Sequence, residues 1–219
     1  TETSGTIDEI QHDLVREAMR LTEIDEPLEI TTIGDVPAGT GMGSSSSLTA
    51  GLLNALFAHH GKIIGRQHLA ELACRLEIDI LKKPIGRQDQ YAAVFGGLNY
   101  IRFNPDDTVD VEPVPCRSET LDELERRTLL LYTGQTRDAN EILEQQSGGT
   151  GDRMPVLRQM RDLADEMRHT LAGGGDLDAF ANLLHSGWEL KRSLGFGISF
   201  PQIDEWYEAA RRNGAQGGK

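Results

Sequence analysis

Apolar positions recur along this chain in two periods, one helical and one alternating. Ile7, Ile10, Leu14, Ala18 and Leu21 share a helical face, which predicts a helix over 7–22. Leu28 to Ile33 alternates and predicts a strand. A glycine- and serine-rich stretch follows. Beyond it Leu48, Leu52, Ala55 and Leu56 form the buried stripe of a helix that Ser44 caps and Gly61 ends. A further helix over about 66–80 turns Leu69, Leu72, Ala73, Leu76 and Ile80 inward. Pro84 and Gly86 break the chain before a short helix near 88–95. Strands over 98–103 and 109–113 flank an Asn104-Pro105-Asp106-Asp107 turn.

Pro113, Pro115 and the polar stretch after them mark a boundary, so domains of 1–117 and 118–219 are expected. Thr128 to Thr133 reads as a buried strand. Helices are expected near 137–146, 154–172, 176–193 and 202–213, with Ser147–Gly151 and Gly173–Gly175 as joints. No internal repeat is visible. Strands gather in the first half and helices in the second, which indicates an α+β fold.

Composition narrows the chemistry. The 219 residues suffice to bury a sizeable core. A formal charge of −13 argues against a nucleic-acid partner. The same charge repels any polyphosphate, so a bound nucleotide needs local positive groups and a divalent cation. The two cysteines, Cys74 and Cys116, suit reduced thiols in a reducing compartment. No signal peptide and no apolar run long enough to span a bilayer is visible, so a soluble cytoplasmic protein is expected. The six histidines and two cysteines show no zinc spacing.

Pro37 to Ser47 reads Pro-Ala-Gly-Thr-Gly-Met-Gly-Ser-Ser-Ser-Ser. Gly39, Gly41 and Gly43 let a backbone approach a ligand closely, and the helix that follows offers unpaired N–H groups and a positive dipole end. Together these form a socket for phosphates, with a flexible Gly/Ser linker as the bland alternative. No lysine follows Gly43, which excludes a Walker loop. Ser44 stands where a dinucleotide fingerprint would place its third glycine.

The second informative stretch is Pro84 to Gly97. Asp89 sits there among polar residues, where a carboxylate at a pocket mouth accepts a proton from a hydroxyl. Arg87, Lys82 and Lys83 would hold it ionised if near; in isolation Asp89 also reads as a helix cap. Glu77 with Ser45 meets the demand of Mg²⁺ for hard oxygen ligands, although alone Glu77 reads as a solvated surface residue like Glu71 and Asp79.

These residues resemble the GHMP small-molecule kinases, which include galactokinase, homoserine kinase and mevalonate kinase. Pro37-x-Gly-x-Gly-Met-Gly-Ser-Ser resembles their second motif, the ATP phosphate loop. The chain is more closely similar to the D-glycero-D-manno-heptose 7-phosphate kinase branch. Asp35 to Ser47, Ile85 to Ala93, Phe95 to Asn99 and Tyr132-Thr-Gly-x-x-Arg137 carry that likeness. Trp188-x-x-Lys191 and Gly214 to Lys219 add to it.

The resemblance implies a ribosomal protein S5 domain 2-like N-terminal part and an α+β C-terminal part. It implies Asp89 as the catalytic aspartate, and Glu77 with Ser45 as the magnesium ligands, Ser44 being a rival to Ser45. Pro37, Gly39, Gly41, Gly43, Ser44, Ser45 and Ser46 would surround the phosphates of ATP. A sugar phosphate and ATP would be the small-molecule partners, and a homodimer is compatible with the likeness. In the family such products feed nucleotide-activated heptose for surface polysaccharide or lipopolysaccharide. A kinase for a free sugar such as fucose, and a non-catalytic sugar- or nucleotide-binding derivative, are the alternatives.

The first motif of the family is missing and the third is cut at Gly214 to Lys219, so the chain is expected to be an internal fragment, truncated at both ends. Arg137 follows a predicted strand and suits bidentate phosphate binding, with a structural ion pair as its alternative. Lys191 admits the same phosphate role beside a merely solvated one, and Trp188 reads as core.

Overall fold

The computed structural model describes residues 2–36, 40–134, 150–195 and 198–219. It divides into two compact units, one spanning Thr1–Glu112 and the other built from Pro113–Gln135 and Glu141–Lys219.

In the first unit a 3-10 turn, Ile7–Glu9, precedes α1, Asp13–Thr22, where one continuous helix was expected. Two acidic side chains explain the interruption. Glu9 accepts from the backbone N–H groups of Gly5 and Thr6, and Glu2 accepts from those of Gln11 and His12. These N–H groups therefore bond to carboxylates rather than to helical carbonyls.

Helix α2 spans Ser44–His59 and α3 spans Arg66–Cys74. The helix expected over 66–80 continues past α3 as a π-helical turn, Arg75–Ile80. The Leu81 N–H bonds back to the Leu76 carbonyl at 3.0 Å, five residues earlier. Such wide turns recur at functional sites because they re-aim a side chain. Helix α4, Gln88–Phe95, leads into the hairpin of β1, Asn99–Phe103, and β2, Val109–Pro113. The Asn104 side chain holds the hairpin turn through Thr108 and Asp110.

The core of this unit joins Leu14 and Ala18 of α1, Leu52, Leu53 and Leu56 of α2, and Leu69, Ala73 and Leu76. A second cluster joins Ala70, Cys74, Tyr91 and Val109. Leu28 and Ile30 pack on the first cluster, yet Leu28–Ile33 is not a strand. Alternation puts one face on the core, but a strand also needs a ladder, and the sheet of the described residues pairs only β1 with β2.

The second unit contains α5, Ser118–Arg127; α6, Thr150–Ala172; α7, Leu177–Ser193; and α8, Pro201–Arg212. Helix α5 was not expected from the sequence. Only Thr120 of it is buried, so no apolar stripe announces it. Glu123 bonds to Arg126 and Arg127 along its surface instead. The strand expected over Thr128–Thr133 is absent, and Leu129 to Leu131 are exposed. Helix α7 begins where the Asp176 carboxylate accepts from the N–H groups of Asp178 and Ala179. The helix expected over 137–146 lies outside the described residues. No helix of the described residues is long and apolar enough to cross a membrane.

Candidate phosphate-binding and proton-accepting site

The site grows out of the turn before α2. Gly41 and Gly43 both hold positive φ, +72° and +69°. An L residue reaches that region only with strain, which is why glycine recurs there. Gly43 stands at the cap position of α2, so Ser44 is the first helical residue rather than the cap. The positive φ of Gly43 turns the chain into the helix, leaving the serine hydroxyls free of capping duty.

The Ser47 N–H closes the first helical bond on the Gly43 carbonyl at 2.9 Å. The N–H groups of Ser44, Ser45 and Ser46 therefore have no carbonyl one turn back. No acidic side chain sits in this first turn. Backbone N–H groups and the positive end of a 16-residue helix are thus presented together. Pro37 and Gly39 lie outside the described residues.

Asp89 is brought to this turn from α4. A Cβ placed on Gly43 would stand 3.5 Å from Asp89 Cβ and Cγ and 3.6 Å from its Oδ2. A carboxylate 46 positions along the chain is thus brought against the phosphate-loop backbone. Asp89 is exposed, in the first turn of α4. The basic residues expected around it are engaged elsewhere. Arg87 pairs with Asp107 at 2.9 Å, and Lys83 pairs with Glu77 at 3.5 Å. Lys82 is exposed and itself takes a positive φ of 55°.

Glu77 lies in the π-helical turn and is fully buried. Its Oε2 accepts from Ser46 Oγ at 2.8 Å and from Gln90 Nε2 at 2.7 Å. Its Oε1 faces the Lys83 ammonium. Ser46, not Ser45, therefore reaches Glu77. Helical geometry dictates this: adjacent residues point about 100° apart, and Ser46 turns inward while the Ser45 side chain is exposed. Among the described residues no group of three His, Cys, Asp or Glu side chains could hold a metal ion.

Gln90 was missed by sequence reasoning. It neighbours Asp89 and is wholly buried, with its Oε1 left without a hydrogen-bond partner among the described residues. The Gln88-Asp89-Gln90 run gave only the signal of polar residues entering an apolar helix.

Arg137 lies outside the described residues. In the second unit Trp188 is buried, its ring 5.7 Å from that of Tyr207, which matches its reading as core. Lys191 is partly buried, and desolvation followed by the charge of Lys219 pushes its ammonium below the ordinary lysine value. Both cysteines are free thiols. Burial pushes the Cys74 thiol up to about 12.

Comparison with known proteins adds identity to this geometry. Residues 11–97 match the GHMP kinases N terminal domain. The chain is 34% identical over 190 residues to a D-glycero-alpha-D-manno-heptose 7-phosphate kinase of Campylobacter jejuni, covering 86% of this chain and 56% of the relative. It is 26% identical over 208 residues to a bifunctional fucokinase/GDP-fucose pyrophosphorylase of Arabidopsis thaliana, covering 89% of this chain and 20% of that one. Its fold matches a D-glycero-D-manno-heptose 1-phosphate kinase from Bacteroides thetaiotaomicron with a TM-score of 0.71 and 29% identity, over 96% of this chain and 62% of that one. The chain therefore spans a little over half the length of the heptose kinase that it matches. Its fold is the mixed helix-and-sheet fold of these kinases, and its residues 11–97 are a GHMP kinase N-terminal domain.

Proposed function

We propose that this chain carries the phosphate loop and the proton-accepting carboxylate of an ATP-dependent sugar kinase. The acceptor is the anomeric hydroxyl of D-glycero-D-manno-heptose 7-phosphate. One observation carries the reading: the Asp89 carboxylate packs against Gly43, at the turn that opens α2. A proton acceptor and a phosphate socket within a few ångströms are what phosphoryl transfer to a hydroxyl requires. The names of the Campylobacter and Bacteroides relatives support a heptose phosphate as substrate.

In this reading the N–H groups of Ser44, Ser45 and Ser46, with the backbone of Gly39, Gly41 and Gly43 after Pro37, cradle the ATP phosphates. Asp89 takes the proton of the anomeric hydroxyl as its oxygen bonds to the γ-phosphorus. The bond from that phosphorus to the β,γ-bridging oxygen breaks, and ADP leaves with the electron pair. The anomeric hydroxyl is more acidic than an ordinary alcohol, which suits a carboxylate base. Arg137 enters as a phosphate-binding guanidinium on its residue type and its place after Tyr132-Thr-Gly.

Mg²⁺ is part of the proposal. Glu77 fits it in chemistry, because among the described residues Oε1 accepts from no neutral donor and already faces a cation, Lys83. Glu77 would hold the ion through Oε1, with Ser46, the serine that reaches Glu77, in place of the expected Ser45, and the ion would supply charge neutralisation to the phosphates. Residues 1–117 and 118–219 are proposed as the N- and C-terminal kinase domains. The free thiols suit work in the cytoplasm.

The similarity to the Arabidopsis fucokinase favours a second reading, a kinase for an unphosphorylated sugar. ADP release by the full-length protein distinguishes the two. Turnover with the heptose 7-phosphate, and none with free fucose, mannose or galactose, is expected. Turnover only with a free sugar would overturn the substrate. ADP release with none of them would overturn the kinase reading.

A further inference from the structure

We infer that Gln90 is a positioning residue: through Glu77 and Ser46 it holds the Asp89 carboxylate against the phosphate-binding turn. This rests on the kinase reading above and adds to it a residue that touches neither proposed substrate.

The argument begins with a cost. Gln90 is completely buried, and among the described residues its Oε1 has no hydrogen-bond partner. A buried acceptor without a donor is destabilising, and an apolar side chain of the same volume would avoid that penalty. Rotating the amide offers no relief, since only its NH₂ can donate to the Glu77 carboxylate. The amide is therefore set by the bond it makes, 2.7 Å from Nε2 to Glu77 Oε2.

That same oxygen accepts from Ser46 Oγ at 2.8 Å. Ser46 is in the first turn of α2, and Gln90 is in the first turn of α4, directly after Asp89. One buried carboxylate oxygen thus clasps the start of the phosphate-loop helix to the start of the helix that carries Asp89. The clasp and the Gly43–Asp89 contact join the same two helix ends. Asp89 itself has an exposed side chain in the first turn, where helices fray most easily. The rest of α4 is anchored independently, by Tyr91 in the second apolar cluster and by Val94 against both. Loss of the clasp therefore loosens the catalytic end of α4 and leaves the fold in place.

The test uses the full-length protein with Gln90→Met, alone and combined with Asp89→Asn. A displacement of Asp89 by a fraction of an ångström is expected to lower kcat by about ten- to a hundredfold. The KM for MgATP should stay within about twofold, because the loop N–H groups that hold the phosphates are intact. In the Asp89→Asn background, Gln90→Met should cost nothing further, since it acts through the missing carboxylate. Native-state hydrogen exchange should speed up at the amides of Ala92 to Phe95, which bond back to the first turn of α4, and not in α1.

An unchanged kcat, an equal loss in both backgrounds, or a loss confined to KM would each overturn the inference. If Gln90→Met fails to fold, Gln90→Asn keeps the amide but shortens its reach, and the same pattern is required of it. If Asp89→Asn itself turns over normally, the kinase reading falls instead. The exchange measurement then still decides the clasp without any turnover: unchanged α4 protection overturns it.

Discussion

The two units differ in how many polar side chains they bury. In the first, Thr22, Ser46, Thr49, Glu77 and Gln90 are buried, and each makes a hydrogen bond inside the structure. In the second, charged side chains pair across exposed surface, as Arg126 and Arg127 do with Glu123, and Arg161 with Asp162. Buried polar contacts are costly to break and fix one geometry, whereas exposed ion pairs contribute little. The unit that must hold Asp89 against a backbone turn is the one built with buried polar contacts.

Substitutions ranked by expected effect test that contrast. Glu77→Ala should be the most disruptive, at about 3 kcal/mol of unfolding free energy, because it strands Ser46, Gln90 and the Lys83 ammonium. Urea unfolding measures it, and a loss below about 1 kcal/mol would contradict a structural role for the clasp. Gly43→Ala should cost about 1–2 kcal/mol from the left-handed backbone alone. Its new methyl would meet Asp89 at 3.5 Å, an ordinary van der Waals distance, so the loss should appear in the melting temperature.

The second unit should respond more weakly. Asp176→Ala removes the cap of α7 and should cost about 1 kcal/mol by urea unfolding. Arg126→Ala should leave the melting temperature unchanged, since its ion pair with Glu123 lies at the surface. Thiol labelling sharpens the contrast without any substitution. Cys116 should react readily at neutral pH, while Cys74, buried and pushed up to about 12, should react only on unfolding. Equal rates for both would mean that the first core opens as easily as the surface of the second unit.

Much of this was legible along the chain, and the reasons differ by residue. The apolar stripe of Leu52 and Leu56 placed α2, and Gly41 and Gly43 marked a turn that needs positive φ. Asn104 to Asp107 placed the β1–β2 hairpin. Local periodicity and turn chemistry suffice for such elements. The strands expected at Leu28–Ile33 and Thr128–Thr133 had the right pattern but no ladder partner among the described residues. Helix α5 carried no apolar stripe to read.

The site was legible only in part. Asp89 stood out beside the glycine loop, but the partners of Glu77 come from 31 and 13 residues away, a separation no local pattern encodes. The choice of Ser46 over Ser45 turns on one helical step, which the run of four serines leaves open. Gln90 had no signal of its own, because its role depends on burial that only the folded chain defines.

The most direct test of the central claim is Asp89→Asn in the full-length protein, with ATP affinity and ADP release on D-glycero-D-manno-heptose 7-phosphate measured side by side. The account predicts turnover reduced by at least about a hundredfold, with ATP affinity within a few-fold of the starting protein. Near-normal turnover, or a loss of ATP binding equal to the loss of turnover, would contradict Asp89 as the group that accepts the sugar proton.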